Sequence, residues 1–166
     1  MHISVVVYRG EPLDYPHYRH TALWIRFRDD ESFPYLAHIV GSPRDYKFET
    51  RQSEDPTRSL LFARLISVGW LSATWTPSVL EQLFPSIPIN NRDIEFNCQT
   101  CVERALKLLR DSAALTPAEY DLGVNGMVDA LAEAEDEESL CFCQAWYCTT
   151  LFARLLSWTS LLILSA

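Results

Sequence analysis

The character of the chain changes near residue 75, with strand-like segments before that point and helix-like segments after it. Residues 2–9 are rich in Val and alternate poorly, which is typical of a buried strand. Four further segments have strand patterns, at 20–28, 35–40, 44–51 and 60–71. Strands followed by helices predict an α+β domain, in which an antiparallel meander of about five strands packs against helices.

Three helices are predicted by their start signals. Thr76, Asn97 and Thr116 each place a side chain that accepts hydrogen bonds just before an apolar segment with helical spacing. Thr116 is followed by Glu119 at the spacing of a capping box. The helix predicted after Asn97 begins with Cys98.

A cysteine at a helix start and histidines on a hairpin are the parts of a thiol nucleophile site. At Cys98 the free amides and the positive end of the helix dipole favour a thiolate and can hold an oxyanion. His20 opens the second predicted strand, where an imidazole can take or give a proton. His38 lies on the returning strand toward the same open end, and it can orient His20. His2 and His17 are weaker candidates.

These segments together resemble the lecithin:retinol acyltransferase-like branch of the NlpC/P60 superfamily, over roughly residues 1–110. The segment 20–25 (HTALWI) is similar to the first histidine strand of that family, and 36–40 (LAHIV) is similar to the second. Asn97-Cys98 is similar to the start of the helix that carries the family nucleophile, whereas residues 99–101 depart from the family pattern. The segments also resemble small fungal proteins.

The resemblance implies a circularly permuted papain-like fold and a set of roles. In it Cys98 is the nucleophile, His20 is the general base and acid, and His38 is the orienting partner. The predicted function is a hydrolase or acyltransferase that acts on an ester or amide of a small molecule or lipid through a Cys98 acyl-enzyme. The alternative is an inactive relative, which serves as a small-molecule or protein binding module or as a membrane-recruited accessory protein, in a fungal biosynthetic pathway.

Cys98 and Cys101 also form a CxxC motif, which occurs in redox dithiols and in zinc sites. A redox motif of the thioredoxin type needs a βαβ context, which the sequence pattern lacks. A zinc site needs two further ligands, and Cys141 and Cys143 are the only other close pair. We therefore predict no metal and no cofactor, and we interpret Cys101 as a core residue one turn from Cys98.

Charge and cysteine content limit partners and location. The formal net charge of -8 at pH 7 argues against nucleic acid, whose phosphates would repel the protein. The N-terminal segment lacks the basic and long apolar regions of a signal peptide, and the number of cysteines is odd. We therefore expect free thiols and a cytoplasmic location. None of these features fixes the oligomeric state.

The predicted domain covers residues 1–138, and residues 139–166 form a hydrophobic tail. Residues 140–166 carry Arg154 as their one charged residue and are long enough to cross a bilayer as a helix, which needs about 20 residues. A charge near the middle of such a helix costs about 2.5–3.5 kcal/mol on insertion scales. Three interpretations stay open: a membrane anchor, a buried or interfacial helix, and a tail without evolved structure.

Overall fold

A five-stranded antiparallel sheet is built from the first part of the chain. The computed structural model describes residues 1–27, 33–53, 55–72 and 74–134. The strands are β1 (His2–Tyr8), β2 (His20–Arg26), β3 (Tyr35–Val40), β4 (Lys47–Gln52) and β5 (Phe62–Trp70). They lie in the order β4-β3-β2-β1-β5, and neighbours are antiparallel. The predicted α+β class and its five strands are therefore confirmed.

The fifth strand departs from a simple meander. β1 to β4 lie side by side in chain order, but β5 pairs with β1 and not with β4. In β1, Ile3, Val5, Val6 and Val7 are all fully buried. The backbone N–H and C=O groups on both edges of such a strand need partners away from water. The buried strand β1 thus requires a neighbour on each side, and β5 supplies the second.

Three helices follow the sheet, and each starts where its cap residue predicts. They are α1 (Pro77–Leu83), α2 (Cys98–Asp111) and α3 (Pro117–Ala132). The cap side chains accept hydrogen bonds from amides three residues further on: Thr76 from Val79, Asn97 from Thr100, and Thr116 from Glu119. The capping box of α3 is complete, so this prediction is confirmed as well.

The two long helices pack against the sheet and create two different faces. Leu23 and Ile25 of β2 belong to a large apolar cluster that includes Leu106 and Leu109 of α2. The alternate residues Val6, Ala22, Trp24 and Leu36 form a second, smaller buried cluster. Because successive side chains of a strand point to opposite faces, the two clusters mark the helix-covered face and its reverse.

Close packing between α3 and β5 depends on glycine. A Cβ atom at Gly126 would lie 2.8 Å from Ile66 Cγ2, and one at Gly123 would lie 3.0 Å from Leu106 Cδ1. Larger side chains there would push α3 away from the sheet and from α2.

Met1–Ala134 form one compact unit. The predicted tail of residues 139–166, with Cys141, Cys143 and Arg154, lies outside the described residues. Within the described part of the chain, no helix combines the length and the apolar character needed to cross a membrane.

Candidate functional site

The start of α2 brings Cys98 to the sheet. Asn97 Oδ1 accepts a hydrogen bond from the Thr100 amide at 3.0 Å, which fixes the first turn of the helix. Cys98 is thus the first helical residue, as predicted. Its Sγ donates to the carbonyl oxygen of Arg19, immediately before β2, at 3.7 Å. The thiol therefore contacts the backbone next to His20.

Burial dominates the ionisation of this thiol. The pKa of Cys98 is raised because the sulfur is removed from water. The backbone and side chain of Thr21 act most strongly in the opposite direction, followed by the backbone amides of Gln99 and of Cys98 itself at the helix start. Together they do not outweigh the burial. The resting group at neutral pH is a neutral thiol that has amides nearby to support negative charge.

The two candidate histidines are in direct contact, as the hairpin predicted. His20 Nε2 and His38 Nδ1 lie 2.8 Å apart, and one of the two nitrogens must carry the hydrogen. Burial lowers the pKa of His20 to about 4, and the neighbouring His38 and the positive charge of Arg51 contribute. Burial also lowers the pKa of His38, although Glu49 acts in the opposite direction. Both rings are neutral at pH 7.

The Cys98 sulfur and the two imidazoles lie near the same end of β2, on different sides of the strand. Strand alternation directs the His20 side chain to the face of Ala22 and Trp24, and its ring stacks on Tyr8 at 6.2 Å between centroids. In the described residues, no hydrogen bond joins Cys98 Sγ to either ring. The structure thus brings His20 and His38 together and brings the thiol to the adjoining backbone.

A small cavity lies at the same place. Its lining includes both Cys98 and His38, together with apolar residues of β3 and α2, and its volume is about 10 Å³. That is close to the space of a single water molecule. An acyl substrate could not enter without local movement of the walls.

The second cysteine of the CxxC motif has the predicted core position. Cys101 is 5% exposed, and burial raises its pKa to about 11. Neither of these properties suits a redox or metal-binding thiol. Among the described residues, no group of three or more His, Cys, Asp or Glu side chains is arranged to hold a metal ion.

Two residues that the sequence did not single out position the thiol. Gln99 Nε2 donates to the carbonyl oxygens of Pro16 and Arg19, at 2.7 and 3.3 Å, and joins α2 to the segment before β2. Arg19 is 4% exposed and binds Asp14 and the carbonyl of Ala130. In the sequence, the only sign of a role for Arg19 was its position directly before His20.

The weaker candidates lie elsewhere in the fold. His2 is buried at the opposite end of β1 from the Tyr8–His20 pair, and its Nε2 is 2.9 Å from Ser67 Oγ. His17 lies in a short 3₁₀ turn, with its ring 4.0 Å from that of Tyr18 between centroids. His2 is therefore distant along β1 from the His20–His38 pair.

These features define a class of protein. It is an α+β domain in which the thiol of the first residue of a helix contacts an antiparallel sheet, beside two neutral histidines. The chain belongs to a family of unknown function, DUF6540, whose model matches residues 4–116. The match includes β2 to β5, all of β1 except its first two residues, α2 and all three candidate residues. No curated protein and no solved structure matches the chain.

Proposed function

We propose that this protein is a thiol-dependent hydrolase or acyltransferase that acts on an ester or amide carbonyl. The proposal includes a circularly permuted papain-like fold of the lecithin:retinol acyltransferase-like branch of the NlpC/P60 superfamily. Its main support is the 2.8 Å hydrogen bond between His20 and His38, beside the strand end that the Cys98 thiol contacts. A thiol at a helix start, a base and an orienting group are the three parts of a nucleophilic triad.

In the first half of the proposed reaction, Cys98 Sγ gives its proton to His20 and attacks the carbonyl carbon. The carbonyl oxygen takes up the π electron pair, and free amides at the start of α2 donate hydrogen bonds to that oxyanion. The C–O or C–N bond then breaks, and His20 returns the proton to the leaving alcohol or amine. The acyl group stays on sulfur as a thioester.

In the second half, water or an acceptor alcohol or amine attacks the thioester. His20 takes a proton from this nucleophile, the C–S bond breaks, and the proton returns to the sulfur of Cys98. His38 is a positioning residue in this scheme, because it contacts His20 and not the substrate. No cofactor or metal is needed.

The resting protonation states leave His20 neutral, but the first proton transfer requires a change at the site. Burial lowers the pKa of His20 to about 4, so the ring has a free lone pair at pH 7 but is a weak base toward a thiol whose pKa is raised. The thiol, however, donates to the Arg19 carbonyl and must turn from it to reach the imidazole. Catalytic hydrogen bonds often form only when substrate is bound.

Trapping of the acyl-enzyme tests the proposal. The full chain is incubated with p-nitrophenyl butyrate, and intact-mass and peptide mass spectrometry locate the added butyryl group. We expect a thioester on Cys98 that Cys98→Ser abolishes while the circular dichroism spectrum is unchanged. His20→Gln should slow acylation at least about 100-fold, because general base catalysis contributes about 10²–10⁴-fold.

Cys101→Ala is the matched control, since it removes the neighbouring thiol of the same helix. It should leave acylation at Cys98 within about twofold of the unmodified protein. Equal ester turnover by Cys98→Ser and the unmodified chain would reject the enzyme.

One observation favours a second candidate, an inactive relative that binds a small molecule or a protein. The Cys98 thiol bonds to a backbone carbonyl, and burial raises its pKa, so both effects oppose a thiolate. In this case the p-nitrophenyl ester would not acylate Cys98. The same experiment therefore separates the two functions.

We also propose that residues 140–166 recruit the protein from the cytoplasm to a membrane, because this segment has a single charged residue, Arg154. Flotation of the full chain with phosphatidylglycerol-containing vesicles, compared with a chain that ends at residue 138, is the direct test. Equal flotation of the two proteins would remove the membrane role.

A further inference from the structure

A second pocket lies at the other end of the β2–β3 hairpin. Its volume is about 330 Å³, and six of its lining residues are Phe27, Phe33, Tyr35, Gln52, Pro77 and Glu81. Phe27 directly follows β2, whereas His20 begins it. Seven extended residues span about 23 Å. The pocket is therefore separate from Cys98 and the two histidines.

Three aromatic side chains form much of this pocket. The rings of Phe27 and Tyr35 have centroids 5.7 Å apart and planes tilted by 40°. Phe33 is 63% exposed although it lines a concave surface. Aromatic faces carry negative electrostatic potential, and inclined rings can present several such faces to one cation.

The pocket also has an unused hydrogen-bonding group. Tyr35 is 8% exposed, and its hydroxyl oxygen is buried without a hydrogen-bond partner in the described residues. A buried polar atom of this kind costs free energy unless a ligand or water satisfies it. The oxygen is closed off from solvent, so a ligand N–H group donates to it only after the Tyr35 side chain turns toward the pocket.

A carboxylate supplies negative charge to this pocket. Glu81 of α1 lines the pocket, and it adds to burial in raising the pKa of Tyr35, so its charge acts on the same space. Arg51 also lines the pocket, but strand alternation places its side chain on the face of Leu36 and His38. The positive charge of Arg51 contributes to the lowered pKa of both His20 and His38, which lie on that reverse face.

We propose that this pocket binds a small organic ammonium ion. The faces of Phe27, Phe33 and Tyr35 would surround the cation, the Glu81 carboxylate would balance its charge, and the Tyr35 oxygen would accept one of its N–H groups. The volume exceeds that of an ammonium group alone, so an apolar substituent fits beside it. The net charge of -8 adds a general attraction for cations.

Two probes of nearly the same shape test the role of charge. The full chain is titrated with tert-butylammonium and with the neutral tert-butanol at pH 7 and low salt, and NMR line broadening of the probes gives each Kd. We expect tert-butylammonium to bind about tenfold more tightly, as cation–π contacts and one carboxylate allow. Equal Kd values, or no binding of the cation, would overturn the proposal.

Variants then assign the contacts. Phe33→Leu keeps an apolar side chain but removes a π face, and Glu81→Gln keeps the shape but removes the charge. Each should weaken tert-butylammonium binding about three- to tenfold, whereas the same charge change at the exposed Glu103 of α2 should have no effect. If Glu81→Gln and Glu103→Gln behave alike, the pocket does not bind the cation. Cys98→Ser should bind the probe normally, which separates this inference from the proposed enzyme.

Discussion

The two ends of the β2–β3 hairpin differ in the space beside their polar groups. At the Cys98 end, hydrogen bonds join the thiol, the Gln99 amide and the His20 ring to their neighbours, and the cavity there is about 10 Å³. At the Phe27 end the pocket is about 330 Å³. Both ends keep buried polar atoms without a hydrogen-bond partner in the described part of the chain, Thr21 Oγ1 and His38 Nε2 at the first and the Tyr35 hydroxyl at the second. A ligand can satisfy such an atom only where there is room for one, so the Cys98 end is organised for positioning and the Phe27 end for binding.

The largest effect is expected from Arg19, which fixes the Cys98 end. Its Nε donates to Asp14 Oδ1 at 2.8 Å, and its guanidinium also binds the carbonyl of Ala130. Arg19→Met would remove the ion pair with Asp14, whose Oδ1 would keep only the Gly10 amide, and would remove the donor to the Ala130 carbonyl. It should lower the free energy of unfolding by about 3–5 kcal/mol. Urea denaturation measures this loss.

Arg58→Met, at an exposed residue, is the control and should change the free energy of unfolding by less than about 0.5 kcal/mol. Equal losses for the two variants would mean that the contacts of Arg19 do not stabilise the Cys98 end.

The next effect is the pH dependence that His20 confers. Its pKa is about 4 in the folded state and 6.5 in the unfolded chain, so the unfolded state binds the extra proton between these values. The contribution of neutral His20 to the free energy of unfolding is complete above pH 6.5. As the pH falls toward 4, the free energy of unfolding decreases by about 3 kcal/mol. Urea denaturation at pH 7, 5.5 and 4 should give a steeper acid loss for the unmodified protein than for His20→Gln. Parallel profiles would show that the ring is not buried as described.

A smaller effect is expected at the helix start that carries the thiol. Asn97→Ala removes the acceptor of the Thr100 amide and should lower the free energy of unfolding by about 1 kcal/mol. The same change at the exposed Asn125, inside α3, should be neutral or slightly stabilising, because alanine is the better helix former. Thermal unfolding followed by circular dichroism compares them, and a loss at Asn125 as large as that at Asn97 would argue against the cap.

The smallest effect has the opposite sign and belongs to the pocket end. Tyr35→Phe removes a buried hydroxyl that has no partner, and we expect the free energy of unfolding to rise by about 0.5–1 kcal/mol. Tyr18→Phe, at a residue that is 50% exposed, should have no such effect. Urea denaturation measures both. A destabilised Tyr35→Phe would mean that the hydroxyl already has a partner.

The local parts of this structure could be predicted because their causes are local. Thr76, Asn97 and Thr116 satisfy amides within the next turn, so the three helix starts could be inferred from spacing. The contact between His20 and His38 followed from a hairpin whose two strands were both recognisable.

The remaining features depend on parts of the chain that are distant in sequence. The pairing of β5 with β1 joins residues about 60 positions apart, and no local pattern encodes it. The direction of the Cys98 thiol depends on the Arg19 carbonyl, which Asp14, Gln99 and α3 together hold in place. The unpartnered Tyr35 hydroxyl could not be inferred, because a sequence pattern does not reveal which buried groups lack partners.

The hydrogen bond between the two imidazoles has a consequence for their tautomers. Glu49 Oε1 lies 3.7 Å from His38 Nε2, so its negative charge favours a hydrogen on that nitrogen. His38 Nδ1 is then the acceptor, and His20 Nε2 must be the donor. This arrangement leaves a lone pair on His20 Nδ1. A half-exposed carboxylate on β4 therefore selects, through two rings, which nitrogen of His20 is basic.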